Sequence, residues 1–185
     1  MIDARSYEMR ETLRNGQLVT IRAIQPEDGA QILEGFHEVD QRSLYLRFFE
    51  VKNAITEGEL KYFTEVDFVD HVALVVVADI DGKTRIIGGG RYFAYDHPAK
   101  IRSAEVAFLV HDRYQGQGIA TLIMKHLQVI ARDSGIAQFE AEVLPENAKM
   151  LGVFSHTGLP MKSSRLNDVI HVTLSLSSDI SVSSE

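Results

Sequence analysis

The pattern of apolar and polar positions predicts that the chain begins with a strand followed by helices. Residues 18–24 alternate weakly, as a half-buried strand does, and Pro26 then stands where a helix begins. Apolar residues at helical spacing continue through a second segment around 44–49. A short third helix is predicted at 56–63, where a threonine and a glutamate three residues apart can form a capping box.

The middle of the chain changes to strand patterns. Residues 72–78 are continuously apolar, which predicts a strand buried on both faces. Asp81-Gly82 lies between this run and Ile86-Ile87 and is a strong hairpin signal. Two further strands are predicted at 85–95 and 103–110. Antiparallel pairing is therefore expected to dominate the first half of the protein.

Helices and strands alternate in the last third of the chain. Helices are predicted at 119–135 and 145–158, and strands at 137–144 and 169–176. A strand–helix–strand crossover is expected here, so the whole chain predicts an α/β fold with a mixed sheet. We expect a single domain over residues 1–185, with its core at about 18–176 and a frayed serine-rich tail after it.

Composition excludes several classes of protein. The 185 residues contain no cysteine, so disulfides, thiol nucleophiles and thiolate metal sites are excluded. The net charge of −7 argues against nucleic-acid binding, which needs clustered lysine and arginine. Neither a membrane span nor a signal peptide is recognisable, which predicts a cytoplasmic protein. The seven histidines lack the spacing of metal ligands, and no metal is expected.

The glycine-containing segment 115–121 is the strongest functional signal. It follows an apolar strand and precedes an amphipathic helix, an order that creates an anion site from free N–H groups at a helix start. The dinucleotide fingerprint fails because Thr121 replaces its third glycine, and the nucleoside-triphosphate loop fails because no Gly-Lys-Ser/Thr is present. The pattern that fits is Q/R-x-x-G-x-G/A, through Gln115, Gly118 and Ala120.

At these residues the chain resembles the GNAT superfamily of acyl-CoA-dependent N-acetyltransferases, with the same order of elements from about residue 18 to 176. Segments 43–49, 104–108 and 144–147 look like the acetyltransferase domain of bacterial protein-lysine acetyltransferases. The resemblance implies the GNAT fold, a mixed and mostly antiparallel sheet flanked by helices. It also implies acetyl-CoA as co-substrate.

The resemblance further implies which residues hold coenzyme A. N–H groups of the loop would bind the pyrophosphate, and the pantetheine arm would lie along the strand before it, where an N–H of Leu109 or Val110 would polarise the thioester carbonyl. Asn147 would bind the pantetheine and Phe154 would pack near the thioester. The implied cofactor-binding residues are Phe108, Leu109, Val110, Gln115, Gly116, Gln117, Gly118, Ile119, Ala120, Thr121, Asn147 and Phe154.

Glu105 is the candidate general base, since a lysine amine must lose a proton before it attacks. An apolar strand is expected to bury this carboxylate, which would make it a stronger base. The structural alternative is an ion pair with Arg91 or Arg102. No general acid is assigned, because Phe154 stands where many family members have a tyrosine.

The expected reaction is acetyl transfer from acetyl-CoA to a primary amine, with a protein lysine as the leading acceptor. Two alternatives stay open: a small-molecule amine as acceptor, and an acyl-CoA-binding regulatory module without turnover. The oligomeric state is expected to be a monomer or a homodimer.

Overall fold

A computed structural model describes residues 1–177, which form eight strands and five α-helices. The strands are β1 (Glu8–Thr12), β2 (Leu18–Ala23), β3 (His71–Ile80), β4 (Lys83–His97), β5 (Ile101–Val110), β6 (Gln138–Val143), β7 (Met161–Leu166) and β8 (Val169–Ser175). The helices are α1 (Gly29–Glu38), α2 (Gln41–Phe48), α3 (Glu57–Thr64), α4 (Ile119–Asp133) and α5 (Ala148–Ser155).

All eight strands join one sheet in the order β1-β2-β3-β4-β5-β6-β8-β7. The first five strands are antiparallel neighbours, and β6, β8 and β7 are antiparallel as well. β5 and β6 run parallel, because α4 carries the chain across the sheet between them. The predicted α/β fold with a mixed, mostly antiparallel sheet flanked by helices is confirmed.

Helices cover both faces of the sheet, and β3 shows the effect most clearly. Its residues 71–78 are all buried, as the continuous apolar run predicts. Val72, Leu74 and Val76 belong to the large core that α4 fills, whereas the residues between them pack with Ile24 and Ile32 on the other face. A strand buried in this way needs no polar alternation.

Sequence patterns missed two strands and misplaced one helix. β1 and β7 carry mostly exposed polar residues, so neither shows the apolar alternation that identifies a strand. The helix predicted from residue 145 begins at Ala148, because the side chain of Asn147 accepts a hydrogen bond from the Met150 N–H and caps it. It ends at Ser155 rather than at Gly158.

The helices of residues 1–177 include none that is long and apolar enough to cross a bilayer. β1 extends the sheet to residue 8, beyond the expected core at about 18–176. The predicted serine-rich tail lies mostly in 178–185, outside the described residues.

Gly90 on β4 lies where α4 approaches the sheet too closely for a side chain. A Cβ atom built there would stand 2.6 Å from the Ile123 side chain and 2.7 Å from the Phe108 ring. We predict that Gly90→Ala lowers the free energy of unfolding by about 1–3 kcal/mol, the usual cost of overpacking a core. Urea denaturation measures this change.

Gly35→Ala in α1 is the matched control, since no atom lies within 4 Å of the added methyl group. Alanine is the better helix former by about 1 kcal/mol, so this variant is expected to be as stable as the wild type or more stable. Equal stability of Gly90→Ala and the wild type would contradict the close approach.

Candidate active site

The site lies where β5 and β6 stop pairing. Their parallel ladder joins three residue pairs only and ends at the pair Glu105–Glu140. Both strands continue beyond this point, β5 to Val110 and β6 to Val143, without pairing further. A wedge-shaped gap therefore opens inside the sheet.

Backbone groups of β5 point into this gap. The His111 N–H donates to the Ile87 carbonyl on the β4 side at 3.1 Å, and the Arg102 carbonyl accepts from Ala137 on the β6 side at 2.8 Å. Because successive residues of a strand alternate in direction, the N–H groups of Phe108 and Val110, which lie beyond the last pair of the ladder, face the gap. The N–H group of Leu109 instead faces β4, where Leu109 pairs with Gly89. Of the two N–H groups considered for the thioester carbonyl, the geometry favours Val110.

A cleft of about 1390 Å³ occupies the gap and the surface above it. It brings together all but one of the residues singled out from the sequence. Those that line it are Glu105, Phe108, Leu109, Val110, Gln115, Gly116, Gly118, Ile119, Ala120, Thr121, Asn147 and Phe154. Gln117 is the exception, since its side-chain oxygen accepts a hydrogen bond from Asn15 in the β1–β2 turn at 3.1 Å.

The glycine loop positions the start of α4 at one end of the cleft. Gly116 and Gly118 have φ values of +77° and +88°, a conformation that costs other residues free energy. The first intrahelical hydrogen bond runs from the Leu122 N–H to the Gly118 carbonyl at 2.9 Å. The N–H groups of residues 119–121 therefore have no partner within the helix and can donate to an anion.

The Gln115 side chain connects three parts of the cleft. Its amide nitrogen donates to Asp112 at 2.9 Å and to the hydroxyl of Ser43 on α2 at 3.2 Å. Its oxygen accepts from the Lys149 ammonium on α5 at 2.8 Å. Gln115 thus joins the loop to helices on both faces of the sheet, and its side chain acts as a structural link.

Asn147 and Phe154 lie on the far wall. The Asn147 oxygen caps α5, which leaves the NH₂ group of that side chain free to donate into the cleft. Phe154 is 1% exposed and packs edge-on against Phe108, with ring centroids 6.1 Å apart. It closes the apolar floor of the gap.

Glu105 is exposed, so the expectation that its strand would bury it is wrong. The reason is the divergence of β6, which opens this part of β5 to the cleft. The structural alternative, an ion pair of Glu105 with Arg91 or Arg102, is absent among residues 1–177, because Arg102 pairs with Asp70 and Arg91 donates to His71 and to the Phe63 carbonyl.

Glu140, the neighbour of Glu105 across the ladder, is fully engaged. Its two oxygens accept hydrogen bonds from the Tyr95 hydroxyl at 2.6 Å and the Gln138 amide at 2.7 Å. Burial and the hydrogen bond to Glu140 raise the pKa of Tyr95 well above its usual value. Of these two adjacent carboxylates, only Glu105 has no side-chain partner within the part of the chain that the structure describes.

Several basic residues of the cleft escaped the sequence patterns. Arg14 comes from the β1–β2 turn, Arg42 from α2 and Lys149 from α5. They are far apart in the sequence, and β1 was not predicted, so no local signal could group them. Residues 1–177 contain no group of three or more potential ligands arranged to hold a metal ion.

Comparison with known proteins gives consistent matches. The sequence model of the Acetyltransferase (GNAT) family matches residues 38–159. The chain is 35% identical to the acetyltransferase Pat of Mycolicibacterium smegmatis over 79% of its own length, but it spans only 42% of that protein. It is 30% identical to the acetyltransferase PA5475 of Pseudomonas aeruginosa, covering 69% of this chain and 67% of that protein.

A solved structure agrees with these relatives. The crystal structure of the GNAT domain of S. lividans PAT superposes with a TM-score of 0.81 at 33% identity. The match covers 91% of this chain and 96% of that one.

Gly118 tests the phosphate role of the loop. A Cβ atom there would stand 3.1 Å from the Arg14 guanidinium, in a backbone conformation that costs an L-residue about 1–2 kcal/mol. We predict that Gly118→Ala displaces the loop and raises the Kd for coenzyme A at least about tenfold. Isothermal titration calorimetry with coenzyme A measures the effect.

Gly82→Ala is the matched control, because Gly82 has a φ of +75° in the β3–β4 turn and lies outside the cleft. It carries the same backbone penalty and is expected to leave the Kd unchanged. An unchanged Kd for coenzyme A in Gly118→Ala would show that the loop does not contribute to binding.

Proposed function

The chain belongs to the GNAT acetyltransferase family, and from this premise we propose that it transfers the acetyl group of acetyl-CoA to the amine of a protein lysine. The observation that carries the proposal is the position of Glu105, a carboxylate without a side-chain partner within residues 1–177. It stands where β5 leaves β6, next to backbone N–H groups that face the gap. A base and an oxyanion donor are thereby set along one strand.

Coenzyme A fits the cleft by its chemistry. The pyrophosphate is held by the free N–H groups at the start of α4, where the helix dipole adds to each hydrogen bond. Arg14, Arg42 and Lys149 add positive charge around it. The pantetheine arm, an extended chain with two amides, lies in the gap and pairs with β5 as an added strand, with Asn147 donating from the opposite wall.

Acyl transfer then proceeds by direct attack. Glu105 accepts a proton from the lysine ammonium, and the neutral nitrogen attacks the thioester carbon, forming a C–N bond. The Val110 N–H donates to the oxygen on which negative charge develops. Collapse of the tetrahedral intermediate breaks the C–S bond, and the electron pair leaves with sulfur. The second proton that nitrogen must lose to become a neutral amide passes to the departing thiolate, directly or through water. Because a thiol has a pKa of about 8.5, the thiolate leaves without an obligatory acid.

Exposed apolar side chains on the acceptor side favour a protein over a small amine. Tyr45, Phe49 and Val51, on α2 and in the segment after it, are exposed, and Phe49 lines the cleft. Exposed apolar side chains that are grouped beside a site are typical of a surface that binds a protein. The similarity to the acetyltransferase Pat supports the same class of acceptor.

Thiol release from acetyl-CoA tests the acceptor directly. Lysine-containing peptides and folded proteins are compared with polyamines, amino acids and aminoglycosides at equal amine concentration. We expect the highest kcat/KM with a lysine peptide or protein. A higher kcat/KM with a small amine would contradict the protein acceptor and favour a small-molecule amine instead. Tight coenzyme A binding without turnover of any amine would indicate a regulatory module.

Glu105→Gln tests the base. We predict a fall in kcat of about 10²–10⁴-fold near neutral pH, the usual contribution of a positioned base. The loss is expected to shrink as the pH rises toward the lysine pKa of about 10.4, because more of the amine is then neutral without help. A pH profile of kcat for both enzymes measures this.

Glu8→Gln is the control, since Glu8 is an exposed strand residue outside the cleft. It is expected to leave the whole profile unchanged. If Glu105→Gln matched the wild type from pH 6 to 9, another group or water would be the base.

A further inference from the structure

Two arginines approach each other on the face of the sheet that carries Glu105. Arg91 lies on β4 and pairs with Ala107 of β5, one row along the sheet from the Phe93–Glu105 pair. Arg47 belongs to α2, which packs on the same part of β5. Both side chains line a cavity of about 140 Å³ beneath α1–α3, and Arg47 also lines the main cleft. The small cavity therefore adjoins the site of acyl transfer.

Neither guanidinium forms an ion pair within residues 1–177, where the arginines paired with carboxylates are Arg22, Arg85 and Arg102. Arg91 donates to the His71 ring nitrogen and to the Phe63 carbonyl, each at 3.2 Å, and lies over the Phe63 ring. Arg47 lies over the ring of its neighbour Phe48. Aromatic faces and neutral acceptors thus stand where a carboxylate would be expected.

The pKa values of both arginines reflect burial without a directly paired carboxylate. Desolvation lowers the pKa of Arg47, against the field of Glu105. Desolvation and the repulsion of Arg47 lower the pKa of Arg91 to about 10, so it stays charged at neutral pH. Desolvation, with Arg91 nearby, lowers the pKa of His71 to about 4 and keeps that ring neutral. Desolvated charges are costly until an opposite charge joins them.

We propose that Arg47 and Arg91 form an anion subsite that binds a carboxylate carried by one of the two substrates. The carboxylate comes either from an acidic residue beside the acceptor lysine or from the end of a dicarboxylic acyl group on coenzyme A. The inference rests on the proposed function, because it places the subsite beside that reaction. Planar guanidinium groups match a carboxylate in geometry as well as charge.

The cavity has room for this group. A single water molecule needs only about 10–15 Å³ of such space, about a tenth of the volume between α1–α3 and the sheet. Apart from the two arginines its walls are largely apolar, with Phe36, Val39 and Ile55 among them. Apolar walls strengthen an ion pair formed inside them, because they exclude water.

Two pairs of substrates distinguish the sources of the carboxylate. The first pair is a lysine peptide with glutamate beside the lysine and the same peptide with glutamine, both with acetyl-CoA. The second pair is succinyl-CoA and acetyl-CoA with the glutamine peptide. We expect the wild type to prefer the carboxylate-bearing member of one pair by about 10- to 100-fold in kcat/KM, the range for a charge-assisted hydrogen bond.

Arg47→Gln and Arg91→Gln are expected to bring that preference close to one, whereas Arg91→Lys, which keeps the charge, restores part of it. Arg85→Gln is the matched control, since it removes a charge from the same strand outside both cavities. It is expected to keep the preference. A preference that survives both glutamine variants, or no wild-type preference in either pair, would overturn the subsite.

A binding measurement separates this inference from the proposed function. The Nε–H signals of Arg47 and Arg91 are followed by NMR during titration with glutarate, a dicarboxylate that requires no turnover. We expect both signals to shift and the Arg85 signal to stay in place. If no amine is acetylated but the two signals shift, the proposed reaction fails and the subsite stands. If acetylation proceeds and the signals do not move, the subsite fails alone.

Discussion

The separation of β5 from β6 beyond the Glu105–Glu140 pair is the constraint on which the rest of the site depends. A sheet normally satisfies its backbone groups by pairing neighbouring strands, and here the pairing stops after three residues although both strands continue. The N–H groups left facing the gap are the donors that an extended ligand needs. The same divergence exposes Glu105, so the proposed binding surface for the donor and the proposed access of the acceptor have one structural origin.

The glycine loop and the acceptor side are not independent. Gln115 donates to Ser43 of α2 and accepts from Lys149 of α5, so one side chain fixes the loop relative to helices that lie on opposite faces. α2 also carries Arg47 into both cavities. A change in the loop that moved Gln115 would therefore alter the proposed acceptor side as well as the proposed phosphate site.

Much of this arrangement could be predicted from local patterns. The capping box of Thr56 and Glu59, the Asp81-Gly82 turn and the two-sided burial of β3 are each encoded by neighbouring residues, and the structure has all three. β1 and β7 could not be found because they are polar edge strands. The exposure of Glu105 depends on where two strands diverge, and the approach of Arg47 to Arg91 joins a helix to a distant strand. No short stretch of sequence contains that information.

The unpaired amides of β5 allow hydrogen exchange to show whether a ligand lies in the gap. Amide hydrogens in a sheet are protected from exchange with solvent by their hydrogen bonds to the neighbouring strand. They exchange only when the local structure opens. The amides of Phe108 and Val110 face the gap instead of a neighbouring strand, whereas that of Leu109 faces β4. In the unliganded protein, protection should therefore alternate along a single strand. A pantetheine chain lying in the gap would abolish the alternation. The pattern of hydrogen exchange at three consecutive residues therefore shows whether an extended ligand is paired with β5.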